Sequence, residues 1–241
     1  MRQALNVISK NLVNLVYPLH CQVCKTPLDP MNNYHVCPAC ISRIRVNQRP
    51  YCVRCGRSVE RPDAVCAECG RRKPCFHMAR SPFLYEGVIK ECIHLMKYGK
   101  KVCLAKLLSR LMARFLKENA ELREAADLIV PVPLFARKLR ERGFNQSKVL
   151  ARGICAELHI PASDALVKSR PTRPQSDLSK EGRMGNIKGA FRVRGRNSVR
   201  GKVILIVDDV LTTGATLNEC ASVLAASGAA RINVITLARG S

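Results

Sequence analysis

Apolar positions along this 241-residue chain change their spacing from region to region. In MRQALNVISKNLVNLVYPLH, Leu5, Ile8, Leu12 and Leu15 recur at helical intervals, which predicts an amphipathic helix over 1–20. From 21 to 75 apolar residues thin out and cysteines take their place. FHMARSPFLYEG at 76–87 reads as extended chain ending at Gly87. Val88, Ile89, Cys92, Ile93 and Met96 form one stripe and predict a helix over 88–98. Leu104, Leu107, Leu108, Leu111, Met112 and Phe115 form another, over 102–118. DLIVPVP at 127–133 reads as a buried strand stopped by prolines, and 145–158 as a helix with Asn145 as its N-cap. Leu166-Val167 is a short strand; the Pro-, Gly- and charge-rich stretch 170–189 is a long loop. A strand over 202–207, a helix over 217–227 and a strand over 231–237 complete the pattern. Strands alternating with helices after residue 125 predict an α/β domain on a mainly parallel, Rossmann-like sheet.

Charge adds a partner class. The net charge is +23, concentrated in 131–202, where 17 Lys and Arg face 5 Asp and Glu. Such a surface suits a polyanion, either nucleic acid or a phosphate-rich small molecule. No run of ~18 apolar residues marks a membrane span. Lys10, Asn11 and Asn14 interrupt any signal-peptide core, so the expected location is cytoplasmic.

Eight of the thirteen cysteines form four C-x-x-C pairs. Each pair puts two thiolates on one tight turn, and two turns complete a tetrahedral sulfur shell. The spacing assigns Cys21, Cys24, Cys37 and Cys40 to one structural zinc and Cys52, Cys55, Cys66 and Cys69 to a second. Interleaved pairing, or one site lost, is the alternative. Fifty residues this poor in apolar side chains need the metal to fold. Cys75 is expected to be no ligand; Cys92, Cys103, Cys155 and Cys220 read as small hydrophobes in helices.

VILIVDDVLTTGAT at 203–216 carries the chemistry. A continuous apolar run is a strand buried on both faces, and ligands of such sheets bind beyond the strands' carboxyl ends. Asp208 and Asp209 arrive there. Thr212, Thr213, Gly214, Ala215 and Thr216 then lead into a helix starting near Leu217, whose free N–H groups suit a phosphate. Two carboxylates repel a bare phosphate, so the ligand needs phosphate at one end and hydroxyls or bound Mg²⁺ at the other. Ribose 5-phosphate meets both demands. Walker A and dinucleotide fingerprints are absent, and no acid follows Glu219 to serve as a response-regulator phosphoacceptor.

This stretch resembles the phosphoribosyl pyrophosphate (PRPP) motif of type I phosphoribosyltransferases. With the C-x-x-C ribbons, Tyr85-Glu86-Gly87 through Lys97-Tyr98-Gly99, VPVPLFARKLRERGFNQS at 130–147 and RPTRPQSDLSKEGRMGNIKGAF at 170–191, the chain from about 20 to 238 resembles the ComF family of competence-associated proteins. Beyond the helix expected over 1–20, the resemblance implies a double zinc ribbon over 21–75 and a type I phosphoribosyltransferase-like domain over 76–241. It implies PRPP with Mg²⁺ as ligand, and single-stranded DNA and a DNA-uptake motor or helicase as partners in natural transformation. By position, Asp208 and Asp209 would meet the ribose hydroxyls, directly or through Mg²⁺, and 212–216 would hold the 5-phosphate. Arg137, Lys138 and Arg142 would meet pyrophosphate; Arg170, Gln175 and Arg183 would sit on a hood over PRPP.

Two functions follow. One is a PRPP-binding protein tied to single-stranded DNA, with Phe135, Phe144, Tyr51, Phe76 and Tyr98 as stacking candidates. The alternative is an active transferase that displaces pyrophosphate at ribose C1 with a small acceptor, Asp209 being the local candidate for a base. A purely structural zinc scaffold leaves 207–216 without a purpose.

Overall fold

The computed structural model describes residues 18–123, 126–172, 185–195 and 198–240. The helix expected over 1–20 and the hood residues Gln175 and Arg183 thus fall, wholly or nearly so, outside the described residues.

The sheet has five strands, all paired in parallel. Its centre is β7 (Arg231–Arg239), flanked by β6 (Val203–Leu211) on one side and by β1 (Met78–Arg80) and β2 (Phe83–Leu84) on the other, with β3 (Leu128–Pro131) beyond β6. The apolar run of β6 serves two cores, as a strand buried on both faces must. Leu205 and Val207 share a core with α3 (Gly87–Tyr98), α4 (Leu104–Glu118), the short α5 (Ala120–Arg123), α7 (Gln146–Leu158) and Cys21, Cys37 and Cys40; Ile204 and Ile206 pack with α8 (Ala215–Ala226). Between α4 and α7 the helices touch closely, because a Cβ on Gly153 would lie 2.1 Å from Ser109 Oγ. An antiparallel hairpin of β4 (Leu166–Lys168) and β5 (Phe191–Val193) covers the α8 side.

The expected elements are present with shifted ends. β6 runs on to Leu211, because β7 continues beside it and pairs Asp208 with Thr236 and Leu211 with Arg239. The two acids therefore lie within the strand, in its second half, not beyond it. α8 starts at Ala215, two residues before the expected Leu217, since Gly214 turns the chain at φ 75°. Asn145 caps α7 as expected, its Oδ1 accepting from the Ser147 and Lys148 N–H groups.

The cysteine knuckles repeat one geometry. Cys21 N–H donates to Thr26 O and Cys52 N–H to Arg57 O. Each quartet then enters a short helix, α1 (Pro38–Ser42) or α2 (Ala67–Arg72). The second knuckle presses on the sheet: Ala79 N–H donates to Arg54 O, and a Cβ on Gly56, at φ 66°, would meet Ala79 O at 2.7 Å. Only glycine fits both demands.

Candidate functional site

Two features carry chemistry, the cysteine quartets and a cavity at the carboxyl ends of β6 and β3. In each quartet the four sulfurs lie within 4.8 Å of one another. A zinc tetrahedron with ~2.3 Å bonds has sulfur–sulfur edges of ~3.8 Å. Cys24 and Cys37 are 3.6 Å apart and Cys55 and Cys66 3.7 Å, so both quartets fit. The Cys37 and Cys66 amides, at 3.3 Å, point at the sulfurs of Cys21 and Cys52. Burial first, and the crowded neighbouring sulfurs next, push the Cys40 and Cys69 thiols far above their ordinary value, which a bound cation reverses. Pairing is sequential, not interleaved. Cys75 stands apart and exposed, its N–H held by Asn218 Oδ1.

The cavity, about 720 Å³, is lined by Asp208, Asp209, Thr212, Gly214, Ala215 and Thr216. Arg137, Lys138 and Arg142 reach it from the other wall. These three sit on a short helix, α6 (Ala136–Arg142), which ends at Gly143 with φ 84°. Arg137 and Lys138 are exposed and shared with Glu141. Arg142 is buried, its Nη1 donating to Gln146 Oε1 and its guanidinium lying 5.7 Å from the Tyr98 ring. Arg170 does not line the cavity; it is exposed and donates to the Lys188 carbonyl. Thr213, expected with its loop neighbours, lines a second cavity behind the loop.

Lys97, Ser147 and Lys168, given no role by the sequence, complete the site together with the stacking candidate Tyr98. Lys97, at the end of α3, puts Nζ 2.7 Å from Asp209 Oδ2. Burial opposes the Lys97 charge, but the Asp209 carboxylate outweighs it and holds the ammonium above its ordinary value. Ser147 Oγ donates to Asp208 Oδ1 at 2.7 Å, and the Asp209 N–H donates to the same oxygen. Lys168 lines the wall and bonds Thr172 Oγ1. Tyr98 stands 64% exposed at the rim, whereas the stacking candidate Phe76 is core. Lys97 and Tyr98 sit in a stretch singled out above, far upstream of the acids, and only the fold brings them there.

The two aspartates differ. Asp209 is buried and ion-paired with Lys97. Burial, and then the Asp209 charge, push Asp208 up to about 7, against the Ser147 hydroxyl and Lys97. One carboxylate is thus neutralised internally, and the other is poised to exchange a proton for a cation.

Comparison with known proteins decides the family. The chain is 33% identical over 231 residues to DNA utilization protein YhgH of Escherichia coli (strain K12), covering 93% of this chain and 99% of that one. This chain belongs to the ComF family. Competence protein F of Haemophilus influenzae is 30% identical over 209 residues, 85% of this chain and 90% of its own length. Competence protein ComFC of Bacillus subtilis is 29% identical over 212 residues, 85% and 84%. The double zinc ribbon domain family matches residues 12–70 and the phosphoribosyl transferase domain family residues 145–241. A solved structure of the allosteric regulatory enzyme of purine biosynthesis aligns with TM-score 0.39 and 24% identity, over 55% of this chain and 26% of that one. The ComF chain thus joins two four-cysteine zinc-ribbon sites to a phosphoribosyltransferase-type domain. Among the described residues, no helix is long and apolar enough to cross a membrane.

Proposed function

We propose that this ComF protein binds PRPP with Mg²⁺ in the β6 cavity and acts in the handling of single-stranded DNA. One observation carries the ligand: two carboxylates, an amide-rich helix start and a basic wall line one cavity. The N–H groups of Gly214, Ala215 and Thr216 would receive the 5-phosphate, helped by the Thr212 and Thr216 hydroxyls. Asp208 and Asp209 would take the ribose diol or the cation, which supplies charge neutralisation for pyrophosphate. Arg137, Lys138 and Arg142 would hold the pyrophosphate oxygens. The relatives' names, DNA utilization and competence protein, support the DNA role, and exposed Arg137, Lys138 and Arg140 offer phosphate contacts beside the cavity mouth.

Calorimetry tests the ligand. Saturable PRPP·Mg binding is expected for the wild type and lost in the D208N/D209N double variant; equal affinity of both refutes the site. Oligo-dT titration across salt tests the DNA role, and the expected slope reports several released counterions.

Turnover is the second reading, favoured by Tyr98, Phe135 and Phe191 in the lining of a cavity of this size. Pyrophosphate would leave C1 with the bonding electron pair while an acceptor nitrogen bonds C1 and sheds its proton. Asp208, pushed up to about 7 by burial and the Asp209 charge, is the candidate to take that proton. Pyrophosphate release that depends on an added acceptor would establish it.

A further inference from the structure

The second cavity, about 320 Å³, lies between the second cysteine quartet and the back of the phosphate loop, with Cys55, Cys69, Thr213, Gly214, Ala215 and Arg239 among its lining. Arg239 ends β7 and is only 5% exposed. Its Nη1 donates to the carbonyls of Leu211, at 3.0 Å, and Thr212, at 2.8 Å, the two residues that lead into the loop. Its Nη2 lies 3.9 Å from Cys55 Sγ. A second tie runs alongside: the Cys75 N–H, just past the quartet, donates to Asn218 Oδ1 in the first turn of α8 at 2.7 Å. The first quartet has a different setting, packed into the core on the opposite face of the sheet.

We infer that Arg239 is a positioning residue that fixes the phosphate loop against the second zinc ribbon, so that metal in that ribbon and a phosphorylated sugar in the β6 cavity stabilise each other. The coupling to ligand rests on the phosphoribosyl reading; the link between ribbon and loop does not. Four thiolates around one Zn²⁺ leave two net negative charges, and a buried guanidinium beside one sulfur offsets part of them. The rigid planar fork of arginine transmits that placement to two loop carbonyls. With the metal gone the negative charge of the sulfur shell is no longer fixed beside Arg239, and Glu68 is left to offset the buried guanidinium. Arg239 then has every reason to move toward water, and the loop loses its brace. Coupling between two sites is reciprocal, so ligand must also hold the metal.

The test uses the full zinc-loaded chain. Zinc transfer to a chromogenic chelator is followed with and without saturating ribose 5-phosphate, in wild type, R239K and R239Q. Ribose 5-phosphate is expected to slow release of one of the two zincs about tenfold in the wild type. The effect should shrink in R239K, which keeps the charge but not the fork, and vanish in R239Q. A ligand-free arm compares amide exchange over 211–217. It should rise in C66S, which opens the second ribbon, and in R239Q, but not in C24S, which opens the first. Unchanged exchange in C66S, or ribose 5-phosphate that binds by calorimetry without slowing either zinc, overturns the inference. Absence of ribose 5-phosphate binding together with the expected exchange pattern upholds the Arg239 brace and refutes the phosphoribosyl reading instead.

Discussion

Asp208→Asn is expected to stabilise the ligand-free chain while weakening its cavity for a cation-bound sugar phosphate. Asparagine keeps an Oδ1 in place to accept from the Ser147 hydroxyl and the Asp209 N–H. What disappears is a carboxylate that burial and Asp209 hold at about 7 instead of 3.8. That interval corresponds to roughly 4 kcal/mol of instability above pH 7. Asp208 opens onto a wet cavity, so about half of that, ~2 kcal/mol, is the working expectation. The sign follows from the raised value: the stability Asp208 offers when protonated is complete below pH 3.8 and is lost as pH rises through about 7. The advantage of the variant therefore grows up to about pH 7 and levels off above it. Thermal unfolding of the zinc-loaded, ligand-free proteins from pH 6 to 8.5 measures this, with ~4–8 °C expected at pH 8. D209N is the opposite case, because it breaks the Lys97 ion pair and should lower the midpoint. A D208N midpoint at or below wild type at pH 8, or a gap that does not widen between pH 6 and 7.5, would refute the reasoning.

Three further outcomes follow from the same structure. Lys97→Met strands the buried Asp209 carboxylate and should cost ~3–5 kcal/mol in denaturant unfolding, with PRPP affinity falling as well. Asn233 is fully buried in β7, and its amide finds no partner among the described residues. Asn233→Leu should therefore raise stability by ~1–2 kcal/mol, and a loss of more than ~1 kcal/mol would mean the amide is satisfied. Gly153→Ala forces a methyl into Ser109 and should destabilise by ~1–3 kcal/mol, a cost largely relieved by the S109G/G153A pair in a double-mutant cycle.

Legibility in the sequence followed the range of the interactions. The cysteine quartets, the doubly buried β6 and the Asn145 cap are local patterns, so they stood out from one stretch of chain. α6 did not, because ARKLRER has a single apolar residue beyond its first alanine and so shows no apolar stripe. Arg142 and Lys97 look like two more surface cations in a chain of net +23; their burial beside Gln146 and Asp209 depends on three separate helices. Loop geometry was equally hidden, since the turn at Gly214 sends Thr213 to one side and Thr212 and Thr216 to the other.

The central strand β7 also sets the order in which the molecule can be assembled. Met78 meets Asn233 across 155 positions (78 to 233), whereas the knuckles close spans of only 19 (21 to 40) and 17 (52 to 69). Short closures cost less chain entropy and come sooner. A refolding chain is thus expected to capture its metal early and then wait with one side of β7 bare, a ready template for a stray strand from another copy. Generous zinc shortens the first stage and leaves that waiting period untouched.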